Sequence, residues 1–219
     1  MALEVYWASG SPFAWRVLLA LEVKRVPYES KLIEFSKGAH KSPEYLAMNP
    51  RGRVPTIKDG SYALYESVAI LAYLDRKHPE VPLFGRTPEE TGLIWRHIAE
   101  FESYVRDAAV QVVRPIFTGQ AAGKENEIRA AADAVHGELA RYEAIVKSSL
   151  WLVGNAVSAA DVAVFPFLQV LGRAATRDAA KPLELGFAPL GKRYPKLAEW
   201  VARVEALPGY ERTYPPHWR

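Results

Sequence analysis

The spacing of apolar residues changes character once along this chain, and that change restricts the fold more than any other feature. Through residue 78, short segments in which apolar residues alternate are interleaved with segments at helical spacing; after residue 88 only helical spacing remains. Leu3, Val5 and Trp7 alternate with Glu4 and Tyr6, as a half-buried strand requires, and Ser9-Gly10-Ser11-Pro12 ends that strand. Phe13, Val17 and Leu21, with Ala14 and Leu18 beside them, predict a helix to about Val23. Ser11 stands as its N-cap and Pro12 in its first position, where a missing N–H costs nothing.

A second strand over Tyr28 to Ile33 follows Val26-Pro27, completing a strand, helix, strand unit of the kind that pairs in parallel. Ser42-Pro43-Glu44 starts a short helix that Asn49-Pro50 stops. Val54 to Lys58 and Tyr62 to Tyr65 flank Asp59-Gly60 as a hairpin, and a helix carrying Val68, Ile70, Leu71 and Leu74 ends near His78-Pro79. The expected organisation is an α/β domain over residues 1–78, a linker over 79–87 and an all-helical domain over 88–219. Thr87-Pro88-Glu89-Glu90 opens that second domain as a capping box, followed by Ile94, Ile98, Phe101 and Val105. A second long helix carries Ile128, Val135, Leu139, Tyr142 and Val146, and two more span Val162 to Leu171 and Leu197 to Leu207.

Composition excludes several kinds of chemistry. The 219 residues, 49% of them hydrophobic, can bury a sizeable core. There is no cysteine, which removes disulfides, thiolate zinc sites and protein-thiol nucleophiles, so any thiol chemistry must use a borrowed thiol. His40, His78, His97, His136 and His217 have no metal-ligand spacing, and no metal is expected. The net charge of +3 is mild, with Lys and Arg scattered and no recognition motif, which argues against nucleic acid. No apolar run has the length of a signal peptide or a membrane span, so a cytoplasmic location without membrane association is expected.

The most specific pattern is Gly38-Ala39-His40-Lys41-Ser42-Pro43-Glu44-Tyr45-Leu46, followed by Asn49-Pro50-Arg51-Gly52-Arg53-Val54-Pro55-Thr56 and by Leu64-Tyr65-Glu66-Ser67. With the element order, these segments make nearly the whole chain resemble a cytosolic glutathione transferase of the serine type, similar to the plant phi pattern, to tau at Ser11-Pro12-Phe13 with Arg16-Val17, or to a related bacterial class. The resemblance implies a thioredoxin-like first domain, a helical second domain, a homodimer formed across the third and fourth helices, and glutathione as co-substrate with a small hydrophobic electrophile.

It also implies roles for particular residues. Ser11 would stabilise the glutathione thiolate, since the family's hydroxyl lies five positions before an arginine, here Arg16; Ser9 and Tyr6 are its rivals. A free thiol titrates near about 8.5, and lowering that by about two corresponds to about 2.7 kcal/mol, which a hydroxyl donor and a helix N-terminus can share. His40 and Lys41 would hold the glycyl carboxylate, and Glu66 and Ser67 the γ-glutamyl end. The backbone of Val54, before a family cis proline at Pro55, would pair with the cysteinyl part. Arg53 stands where the phi pattern usually has a neutral amide, and its guanidinium would bind a carboxylate instead. Phe13, Tyr104, Val112 and Phe117 would line the electrophile site between the domains. Ser158-Ala159-Ala160-Asp161 matches the family's buried capping box, and Pro166 is expected to kink the helix that follows. Reduction of organic hydroperoxides by the same thiolate, or a non-catalytic ligand-binding or assembly module, are the alternatives; the zeta-type isomerase pattern of serine-serine-cysteine is missing.

Overall fold

The computed structural model describes residues 2–219, which form two compact units. The first extends to Phe84 and also takes in Leu207–Arg219; the second is Gly85–Ala206.

Four strands build the centre of the first unit: β1 (Leu3–Trp7), β2 (Tyr28–Leu32), β3 (Thr56–Asp59) and β4 (Tyr62–Tyr65), in the order β2-β1-β3-β4. β1 runs parallel to β2 in register Leu3↔Tyr28, and antiparallel to β3, where Val5 faces Ile57; β4 continues the antiparallel side with Leu64 opposite Ile57. The helices α1 (Pro12–Lys24), α2 (Pro43–Met48) and α3 (Ser67–Lys77) complete the thioredoxin-like pattern. α1 is buried without interruption from Ala14 to Glu22, which is why its apolar residues are not confined to one face. β3 starts two residues later than the apolar run suggests, because Pro55 has no N–H to contribute to a ladder.

Part of the stretch expected as a linker is held to this unit. The buried ammonium of Lys24 donates to Asp75 at 2.9 Å and to the Val81 carbonyl at 2.5 Å, and Asp75 also accepts the Leu83 N–H at 2.6 Å. Leu83 is fully buried, so the boundary falls after Phe84. Residues 207–219, expected in the helical domain, belong to the first unit as well, for reasons given below.

The second unit holds α4 (Pro88–Glu100), α5 (Arg106–Phe117), α6 (Glu125–Val146), α7 (Ala159–Ala175) and α8 (Pro195–Glu205), and among its described residues there is no strand. Thr87 caps α4 by accepting the Glu90 N–H at 3.2 Å. α4 and α5 are joined by one π-helical stretch, Phe101–Val105, where the sequence pattern suggests an unbroken helix. The capping box at Ser158 is present, and Asp161 is completely buried at its centre. α7 continues through Pro166 to Ala175.

Candidate functional site

The loop after β1 is a tight turn. The Ser11 N–H donates to the Ala8 carbonyl at 3.1 Å, and Gly10 occupies the third position with φ +79°, a conformation that side chains resist. Ser11 then caps α1: its hydroxyl oxygen accepts the Ala14 N–H at 3.3 Å, with Pro12 at the start of the helix. Half-exposed, Ser11 donates its own hydroxyl proton to no group among the described residues.

Its rivals are placed differently. The Tyr6 hydroxyl donates to Glu4 at 2.5 Å, and burial together with that carboxylate pushes its pKa up to about 12, so at neutral pH it is a phenol already committed to an acceptor. Ser9 pairs with Nδ1 of His217 at 2.5 Å.

The Arg51–Thr56 segment is fixed from beneath. Buried Tyr45 and Asn49 both donate to the Arg53 carbonyl, at 2.6 Å and 2.8 Å, and both contact the Thr56 hydroxyl, at 2.9 Å and 3.0 Å. Burial raises the Tyr45 pKa, opposed by Thr56 and Asn49, so this group remains a neutral donor. The peptide between Val54 and Pro55 is cis. Val54 shares one buried cluster with Ala8, Ala14 and Tyr45, which sets this segment beside the loop that carries Ser11.

His40 and Lys41 lie on a short 3-10 turn, Ala39–Lys41. Gly52 adopts φ +56°, and a Cβ there would come within 2.9 Å of both the His40 carbonyl and Lys41 Nζ, so these residues are neighbours of Arg53. His40 stacks obliquely on Phe35 at 4.5 Å, and its buried Nδ1 has no hydrogen-bond partner. Arg53 is exposed. Glu66, also exposed, has φ +70° and precedes the N-terminus of α3; a non-glycine residue in that region is under strain of the sort concentrated at ligand sites. Ser67 is buried and accepts from Arg16 Nη1 at 3.2 Å, tying the start of α3 to the second turn of α1.

Ser11, His40, Lys41, Arg53, Val54, Glu66 and Ser67 therefore all belong to the first unit, at or beside three cross-linked loops. Phe13, half-exposed, lies against the Arg16 guanidinium at 5.4 Å. Of the residues expected from the second unit, Tyr104 on the π-helical stretch and Phe117 at the end of α5 are 64% and 40% exposed. Val112 is fully buried. Two open clefts, of about 410 and 510 Å³, flank Pro27 and Tyr28 at the other end of β1 and β2 and contain none of the site residues. No group of described side chains has the composition of a metal centre, and no helix among them is long and apolar enough to cross a membrane.

Two features escaped the sequence reading. Tyr45, Asn49 and Thr56 lie within the quoted pattern, but only the folded chain turns them toward one carbonyl. The aromatic tail from Tyr210 to Trp218 has no period that would announce its place beside Ser9.

Known proteins place this geometry in context. Residues 10–77 match the profile of the glutathione S-transferase N-terminal domain, and residues 105–208 that of the glutathione S-transferase C-terminal domain. Glutathione S-transferase A of Pleuronectes platessa is 30% identical over 99% of this chain and 92% of its own length. Glutathione S-transferase F9 of Arabidopsis thaliana is 29% identical over 97% and 96%. The crystal structure of a glutathione S-transferase from the Antarctic clam Laternula elliptica superimposes with a TM-score of 0.84 at 31% identity, covering 100% of this chain and 94% of that one.

Proposed function

The chain belongs to the glutathione S-transferase family, and we propose that it activates glutathione through the hydroxyl of Ser11. One observation carries this reading: Ser11 uses its oxygen lone pair to cap α1 and retains its proton, at a half-exposed position, for donation to a sulfur. The positive end of the α1 dipole adds to the same effect, because an anion beside the first turn is favoured. The thiolate so held attacks an electrophilic carbon, and Ser11 is not itself modified.

The rest of the ligand is assigned by charge. His40, Lys41 and Arg53, gathered around Gly52, would meet the glycyl carboxylate, and the start of α3 at Ser67, with Glu66, the γ-glutamyl end. The Val54 backbone would pair with the cysteinyl part, while its side chain is held in the cluster below. Within the first unit, half-exposed Phe13 offers aromatic surface to a small apolar electrophile, and in the second unit Tyr104 and Phe117 are exposed aromatic side chains suited to the same chemistry. A homodimer and a cytoplasmic site of action belong to the same proposal.

The test is the ultraviolet absorbance of the bound glutathione thiolate as a function of pH, in the wild type and in Ser11→Ala. The wild type should hold the thiol pKa well below the free value of about 8.5, and the variant should return toward it, with turnover at neutral pH lower by roughly ten- to a hundredfold. An unchanged thiolate titration in Ser11→Ala would remove Ser11 from the mechanism.

A further inference from the structure

The C-terminal segment reaches the turn that presents Ser11. α9 (Tyr210–Thr213) and the short 3-10 turn Pro216–Trp218 wrap around Trp15 on α1. Trp15 Nε1 donates to the buried Thr213 hydroxyl at 2.8 Å, and the Trp15 ring has Tyr210, Tyr214 and Trp218 at 6.3, 5.9 and 5.6 Å. Arg212 pairs with Glu22 at the far end of α1. Beyond these anchors His217 places Nδ1 2.5 Å from the Ser9 hydroxyl, and a Cβ on Gly10 would sit 2.9 Å from its ring.

Ser9 and Gly10 are the two central residues of the turn whose last residue is Ser11. Among the described residues the turn is closed by one backbone hydrogen bond, and the Ser11 side chain makes one hydrogen bond, to the Ala14 N–H. A second constraint on the turn therefore acts on where the Ser11 hydroxyl points. His217 is exposed, and an exposed hydrogen bond usually contributes little because two side chains must be ordered to make it. Here the buried Thr213, Pro215 and Trp218 have already fixed the segment that carries it, so most of that ordering cost is met elsewhere.

We propose that His217 is a positioning residue for glutathione activation: through Ser9 it holds the Ala8–Ser11 turn, which makes the C-terminal segment part of the site. The inference rests on the reading of Ser11 given above. It predicts an effect on the thiolate and on turnover without loss of glutathione binding, since the contact runs to Ser9 and the turn and the residues assigned to the glutathione carboxylates lie on other segments, at 40–41, 53 and 66–67.

The experiment compares Ser9→Ala, His217→Phe, the double variant, His217→Asn and Ser11→Ala. Phe keeps a ring against Gly10 and removes the nitrogen; Asn restores a polar atom at the position of Nδ1. Thermal melts establish that each variant is folded, and Ser9→Ala carries the test alone should His217→Phe not fold. The bound thiol should titrate at higher pH in Ser9→Ala and His217→Phe, with kcat for a chloronitrobenzene reduced roughly tenfold and KM for glutathione unchanged. The double variant should be no worse than either single one, and His217→Asn should recover most of the loss. A thiolate titration and kcat at wild-type values in both single variants, while Ser11→Ala shifts them, overturns the inference and leaves the Ser11 reading standing. Effects that add in the double variant also overturn it, because the route then does not pass through Ser9. If Ser11→Ala itself changes nothing, the Ser11 reading falls and this inference with it.

Discussion

Each unit has a cluster of buried polar groups, and the two clusters are used in opposite ways. In the second unit Asp161 accepts four hydrogen bonds: from the Leu152 and Ser158 N–H groups, each at 2.9 Å, the Ser158 hydroxyl at 2.7 Å and Trp200 Nε1 at 2.8 Å. Every donor points inward, joining the loop before α7 to α7 and α8. In the first unit Tyr45, Asn49 and Thr56 surround the Arg53 carbonyl, and Asn49 Oδ1 also accepts the Arg51 N–H at 3.1 Å. That network ends on a loop in which Arg51 and Arg53 are exposed, while Val54, whose backbone is the part proposed to meet glutathione, keeps its side chain in the buried cluster. A closed cluster holds a core together. An open one, on the function proposed above, shapes a loop for glutathione.

The contrast is broken or sharpened first by Asp161→Ala. Burial pushes the Asp161 carboxyl up while its four donors pull it down; deleting it leaves those buried donors without an acceptor. The loss should be about 3–5 kcal/mol in urea unfolding. The fraction that remains folded should bind glutathione with the wild-type KM. A stability loss under about 1 kcal/mol would mean that the cluster is not a closing element.

Asn49→Ala comes next. It removes a donor to the Arg53 carbonyl and the acceptor for Arg51, which should cost about 1–3 kcal/mol and, unlike the Asp161 change, raise KM for glutathione. If unfolding is affected and KM is not, the two clusters are alike, and the distinction between a closed and an open network fails.

What could be read from the sequence divides along the same line. β1, the start of α1 at Ser11, the Asp59-Gly60 hairpin and the Ser158 capping box are set by residues within a few positions of one another, and they stand where the spacing places them. The motif residues His40, Lys41, Arg53, Glu66 and Ser67 are likewise local features. Their convergence depends on contacts that no period encodes: Arg16 with Ser67, Gly52 with Lys41, and Ala8 with Val54. The π-helical stretch before Arg106 keeps the apolar spacing of an ordinary helix, so it stays hidden. The placement of 207–219 rests on pairs such as Trp15 with Thr213, nearly the whole chain apart in sequence. The anchoring of residues 81–83 is not local either, because Lys24 and Asp75 lie on different helices and meet only after folding.

The smallest expected effect separates the units by pH. In the second unit His97 and His136 are both buried, and burial holds each below the ordinary imidazole value. For His97 the neighbouring Arg96 adds to the depression and Glu100 opposes it; for His136 the Leu185 carbonyl and Asp133 oppose it and Arg193 adds. Both rings are thus neutral in the fold at pH values where the unfolded chain, titrating near about 6.5, takes up protons. The unfolded state then binds more protons, so this contribution is intact above about pH 6.5 and is lost as pH falls toward the depressed values. In the first unit the resolved carboxylate shifts are those of Asp59, lowered by Lys77 and Tyr73, and of Glu44, lowered by its own backbone N–H and the Ser42 hydroxyl, and their contributions persist until pH falls below the ordinary carboxylate values of about 3.8 and 4.5. Between these limits acidification should loosen the second unit alone. Amide exchange at pH 7.5 and 5.5, corrected for the intrinsic rate, should show protection falling along α6 and staying level along α1. His97→Leu suits the test because the neighbours it gives up, Arg96 at 3.3 Å from Nε2 and Glu100 at 3.6 Å from Nδ1, are exposed side chains that water can solvate, and the replacement should flatten part of the pH dependence. Equal loss of protection in both units would place the acid-sensitive groups outside these two histidines.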